Sequence, residues 1–214
     1  MKANILEAIG AFSGIYSGWI LWNLFLAFIP LVLSFWLFRR KTNKRSFLWW
    51  LVWVVFIAFL PNAPYLLTDI IHLIRGTRAG YAIWIIALVF IPLHIMAIVS
   101  GFEAYVIALI NQGRYLKRQG LQRFVMWSEL GLHGLCAIGI YLGRFPRFNS
   151  WDLVTDPGNV LLVALNELTA KRPLLVIVIT FVILTVFYWV MKQITLGLVM
   201  RFRYMQAKRA FKSE

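Results

Sequence analysis

Asp69 and His72 stand three residues apart in a stretch, residues 61–75 (PNAPYLLTDIIHLIR), that interrupts hydrophobic sequence on both sides. At helical pitch these two positions share a face. A carboxylate beside an imidazole can serve as orienter and base, or as two ligands of a metal. Two ligands at that spacing are a weak metal signal, and neither a metal nor a cofactor is expected. A second unusual stretch, residues 143–152 (GRFPRFNSWD), offers Arg144, Arg147, Asn149, Trp151 and Asp152. Guanidinium forks match phosphate and carboxylate, so Arg144 and Arg147, joined by Asn62, Tyr65, Asp69 and His72 of the first stretch, could hold an anionic headgroup among aromatic neighbours. The competing structural reading has Asp69 and His72 binding backbone groups freed by the prolines, with the arginines as anchors at headgroup level.

Ionisable residues inside apolar segments form the other set. His94, Glu103, Glu129 and His133 all fall there, where such groups are expensive and usually face a cavity or one another. Glu103 and Glu129 lie at similar depth, roughly 10 Å from one side at 1.5 Å per residue. Glu129 and His133 are four residues apart and share a face, whereas His94 and Glu103 point nearly opposite ways. They could line a proton or cation path, or each could make an interhelical hydrogen bond.

The elements that must position these groups are membrane spans. The chain has 214 residues, is 61% hydrophobic and has a mean hydropathy of +0.76, far above an ordinary globular domain. Apolar segments of about 20 residues or more, the length that crosses a ~30 Å hydrocarbon core, are predicted at 15–38, 81–110, 124–143 and 174–200; a further segment, 47–60, has only about 14 residues before Pro61 and either falls short of the far side or continues as broken backbone. The fold class is therefore all-α, a polytopic bundle of five transmembrane helices. Two interfacial helices join it, one over 66–75 with Thr68, Asp69, His72 and Arg75 as its polar stripe. The other begins at Asp156-Pro157-Gly158, with Asp156 as cap and Pro157 at the first helical position, and places Val160, Leu161, Ala164, Leu165 and Leu168 on one face. Pro61 and Pro64 push the residues before them out of the α region, so a break is expected at PNAP. Pro30 should kink the first span. Gly10, Gly14 and Gly18 make two G-x-x-x-G steps, and the glycines at 131, 134, 139 and 143 suit close helix packing. Residues 1–200 read as one membrane domain and 201–214 as a basic cytoplasmic tail. No removable signal peptide is expected at the amino terminus.

Sidedness follows from Lys and Arg in short loops. The Arg39 loop has five, the Arg114 loop four and the tail five, against one at the amino terminus, two near Arg75 and four in the loop from Arg144. The amino terminus is therefore expected outside and the carboxyl terminus in the cytoplasm, with both polar stretches on the outer face. The net charge of +14 fits orientation and attraction to anionic lipid better than nucleic acid, which is not an expected partner. Cys136 is the one cysteine, so no disulfide framework exists.

The stretches LPNAPYLLTDIIHL and YLGRFPRFNSWDLVTDP resemble the two signature regions of a bacterial family of integral membrane proteins catalogued as domain of unknown function 1361. The resemblance implies a compact multi-pass bacterial membrane protein and carries no activity with it; the expected location is the bacterial inner membrane. It marks Pro61, Asn62, Pro64, Tyr65, Asp69 and His72 in the first stretch. In the second it marks Gly143, Arg144, Phe145, Arg147, Asn149, Ser150, Trp151 and Asp152. Three functions stay open: an outer-face site binding an anionic lipid, envelope component or partner; an envelope-facing enzyme using Asp69 and His72; and a small transporter or channel using Glu103, Glu129 and His133. Oligomeric state is open as well.

Overall fold

The computed structural model describes residues 19–40, 45–78 and 81–212. The glycines at 10, 14 and 18 lie outside the described residues, as do the side chains of His72 and Arg75. Among the described residues, five helical stretches are long and apolar enough to cross a membrane: Ile20–Phe38, Phe47–Asp69, Ile83–Arg118, Gln122–Arg144 and Lys171–Arg209. They form an all-α bundle, with shorter helices gathered at one end.

Helix α1 (Trp19–Phe38) continues through Pro30. Helix α2 (Phe47–Phe59) starts at Ser46, whose side chain accepts the Trp49 N–H. Its 13 residues cover only about 20 Å at 1.5 Å per residue, short of a hydrocarbon core. The PNAP sequence completes the crossing and does not break it. Leu60, directly before Pro61, is right-handed helical (φ −55°, ψ −40°), and the path continues through α3 (Asn62–Tyr65), a 3-10 turn (Leu66–Asp69) and α4 (Ile70–Thr77).

The expected break is repaired locally. Proline lacks the N–H that a helix would use, so Leu60 O accepts instead from Ala63 N at 3.2 Å. That shift leaves Phe59 O to be taken by the Asn62 amide at 3.0 Å. Residues beyond the prolines face the way amphipathicity requires: Leu66 and Asp69 are buried, while Ile70, Ile71 and Ile74 are exposed.

The third crossing opens with α5 (Ile83–Ile85) and a π-helical turn (Ile86–Phe90) ahead of α6 (Ile91–Arg118). Pro92 sits in the first turn of α6, where its missing N–H is tolerated. The helix runs two turns past the expected end at Ile110 because Asn111 there is buried and hydrogen-bonded across the bundle. Its amide donates to Ser34 Oγ at 2.9 Å, and its carbonyl accepts from Arg39 Nε at 3.1 Å. Helix α7 (Val125–Arg144) returns, and α1 packs most extensively on α6.

After α7 come α8 (Asp152–Thr155) and α9 (Pro157–Thr169). Asp156 caps α9 by accepting the Asn159 N–H, as its sequence predicts. The packed face of α9 differs from the expected one. Val160, Val163, Ala164 and Leu168 turn to the core, while Leu161 and Leu165 are exposed, because Tyr141 on α7 donates to Glu167 Oε2 at 2.8 Å and fixes the rotation. Helix α10 (Lys171–Lys212) has 42 residues, about 63 Å at helical rise, so it projects well beyond a ~30 Å core. Residues 201–212, within the stretch expected to form the basic tail, are helical as part of α10.

Candidate functional site: a polar-rimmed cavity

The two signature stretches meet at the end of the bundle where α1 begins. Asn62 Nδ2 donates to Ser150 Oγ at 2.8 Å. Arg144 Nη2 donates to the Thr68 carbonyl, to Thr68 Oγ1 at 2.7 Å and to Asp69 Oδ1 at 3.4 Å. The guanidinium also lies over the Tyr65 ring, 5.1 Å from its centroid. From the first span, Asn23 Nδ2 donates to the other Asp69 oxygen at 3.1 Å. A buried charge is costly unless paired and hydrogen-bonded; Asp69, only 1% exposed, has a partner on each oxygen.

Small residues permit this approach. A Cβ on Gly139 would stand 2.7 Å from Pro61 Cγ, and one on Gly143 would stand 3.2 Å from the Tyr65 ring. Gly101 on α6 gives way to Leu66 and to the Ala63 carbonyl. Gly131 and Gly134 face open space, so the expected glycine packing is confined to the far half of α7.

Between these elements is a cavity of about 420 Å³, a size typical of small-molecule sites. Leu26, Ile57, Ala58, Leu135, Ile138 and Val160 contribute to its apolar wall. Asn23, Asn62, Tyr65, Asp69, Arg144, Asn149 and Ser150 give it a polar side, with Trp22 and Trp151 beside them. Arg144 engages protein acceptors through Nη2 alone, leaving Nε and Nη1 without an acceptor among the described residues.

Not every residue of the second stretch joins in. Arg147 is exposed and absent from the cavity wall. Its backbone is left-handed, φ 66°, and reverses the chain so that Phe148 N returns to Leu142 O at 3.1 Å. Asp152 accepts the Asn149 N–H at 2.6 Å and closes that turn. Asn23 and Trp22 have no motif around them. Their only signal is an asparagine in a 20-residue apolar helix, where a polar group is expensive.

Three of the four intramembrane groups, Glu103, Glu129 and His133, contact α10. Glu129 accepts from Tyr188 Oη at 2.8 Å and pairs with Lys192 Nζ at 2.6 Å. Glu103 accepts from Thr195 Oγ1 at 2.7 Å. His133 Nδ1 meets Tyr105 Oη at 2.5 Å, with the Tyr188 ring 4.7 Å from its own. His94 is buried, its Nδ1 3.0 Å from Phe90 O. Lys192 and Tyr188 are the partners that sequence spacing alone did not supply.

Fold and cavity define a multi-pass helical membrane protein with a polar-rimmed pocket at one end. The family described as Protein of unknown function (DUF1361) matches residues 22–186, and the chain belongs to that family. No curated protein and no solved structure matches the chain.

Proposed function

We propose that the protein binds an amphiphile with an anionic headgroup, a membrane lipid or envelope component, in the cavity between α1, α3 and α7. The observation that carries this reading is the cavity's division into an apolar wall and a polar side on which Arg144 keeps Nε and Nη1 for a ligand. Arg–anion hydrogen bonds are charge-assisted and about twice as strong as neutral ones. The apolar wall suits an acyl or prenyl tail. In this reading the cavity faces outward from a bacterial inner membrane, following the Lys and Arg counts.

An enzyme using Asp69 is favoured less, since both its oxygens are already engaged. A transport path through Glu103, Glu129 and His133 is favoured less because each has an interhelical partner that accounts for its place.

The test is lipid extraction from the purified protein followed by mass spectrometry. Wild type should retain an acidic amphiphile enriched over bulk lipid. Arg144→Gln should lose it, and so should Ala58→Trp, which fills the cavity. Bulk lipid composition in all three would sink the proposal.

A further inference from the structure

We infer that the opposite end of the bundle carries a second site, an arginine cradle of Arg39, Arg45, Arg114 and Arg118 that holds the phosphodiester headgroup of an anionic membrane lipid. It is independent of the cavity and of what the cavity binds.

The cradle surrounds the last turn of α1. Arg118 Nη2 donates to the Phe38 carbonyl there. Arg39 is held by its Nε on the buried Asn111 carbonyl at 3.1 Å and lies over the Phe35 ring at 4.3 Å. Arg45 Nε donates to Tyr115 Oη at 3.0 Å, and its guanidinium lies near the Trp49 and Tyr115 rings. Tyr115 in turn packs on Phe38, 5.6 Å between centroids. These rings and hydrogen bonds bring residues of α1, α2 and α6 to one place.

Every protein acceptor in that arrangement is neutral. The ion pairs among the described residues are Arg144–Asp69 and Lys192–Glu129, and neither touches the cradle. Helix capping explains Arg118, since cations favour a helix carboxyl end. It does not explain Arg39, anchored on Asn111, or Arg114, which stands about one turn from both Asn111 and Arg118 on α6 and so shares their face. Burial, and then the positive charge of Arg114, pull the Arg39 guanidinium below its usual range. Like charges kept together without an acid call for an anion from outside. With Nε of Arg39 and Arg45 committed to protein, their terminal amino groups remain to face it. Planar guanidinium forks suit phosphate better than point charges do. Basic pockets between helices at the membrane surface take phospholipid headgroups in this way.

The experiment uses the full chain in detergent, with phosphatidylglycerol, phosphatidylcholine or inorganic phosphate added, read by native mass spectrometry and thermal midpoint. Phosphatidylglycerol should bind and raise the midpoint, while phosphatidylcholine and inorganic phosphate should not. Arg114→Gln, an exposed change, should weaken phosphatidylglycerol binding about fivefold, and Arg39→Gln/Arg114→Gln about thirtyfold, from the usual contribution of a basic residue at an anionic surface. If the double variant does not fold, Arg114→Gln alone decides. Arg201→Gln/Arg203→Gln, on the exposed end of α10, removes equal charge elsewhere and should leave binding unchanged. Equal loss in that control means diffuse attraction and overturns the site. So does equal binding of the two lipids, and a midpoint raised as much by inorganic phosphate overturns the assignment to lipid.

Discussion

Gly139 on α7 and Pro61 after α2 touch so closely that a Cβ at 139 would lie 2.7 and 2.8 Å from the proline ring carbons. The proline ring is rigid, so it cannot rotate aside as a leucine could. Gly139→Ala should therefore destabilise the protein by about 1–3 kcal/mol, the usual cost of overpacking, despite the better helix propensity of alanine. Gly134→Ala, where nothing lies within 4 Å, should be neutral or stabilising by up to about 1 kcal/mol. Thermal midpoints of the two variants in one detergent check this. Equal behaviour would mean that the PNAP segment is not seated on α7.

Arg144 and Asp69 form an ion pair with unequal burial, the carboxylate side chain 2% exposed and the guanidinium 25%. Removing the arginine strands a buried charge, so Arg144→Gln should cost more stability than Asp69→Asn, which keeps an amide able to meet Asn23. The coupling from a double-mutant cycle should fall within about 0.5–3 kcal/mol. Reversible unfolding in mixed micelles measures it. A coupling near zero would show that the arginine is held by Thr68 and Tyr65 alone.

How far the sequence reveals this arrangement depends on the range of the interaction. Helices, spans and the Asp156 cap are legible because hydropathy, length and capping act over neighbouring residues. Pairing of the two signature stretches is legible in outline, since loop placement sets both at one end. The continuity through Pro61 is not, because it rests on one side chain, Asn62, supplying the donor for Phe59 O. Proline rules describe the backbone and omit such a repair. Asn23 and Lys192 were hidden for a related reason: a lone polar residue in an apolar helix announces a partner without naming it, and both partners lie on distant elements. Arg147 shows the reverse case, a residue type suited to anion binding that geometry assigns to a turn.

Lys192 and Glu129 join α10 to α7, with Tyr188 sharing the same carboxylate oxygen. Lys192→Met leaves Glu129 with Tyr188 alone and should destabilise by about 1–3 kcal/mol, less than the ~3–5 of a fully buried pair, because both side chains are only partly buried. Adding Glu129→Gln should recover part of that loss, because the stranded charge is gone. Detergent-unfolding midpoints for the single and double variants provide the comparison. A double variant less stable than Lys192→Met argues for a role of the carboxylate beyond this pair.

Arg147 separates the demands of the turn from those of the ligand. Its φ of 66° costs a residue with a side chain roughly 1–2 kcal/mol that glycine does not pay. Arg147→Gly should keep the turn and hold or raise stability by about 0.5–1 kcal/mol, offset in part by the greater freedom of glycine in the unfolded chain. Since the arginine is exposed and outside the cavity wall, retention of the amphiphile should survive the change, whereas Arg144→Gln loses it. Lipid extraction from both variants, alongside their thermal midpoints, resolves the two roles. Loss of ligand in a stable Arg147→Gly protein would place this guanidinium on the headgroup and extend the site beyond the cavity rim.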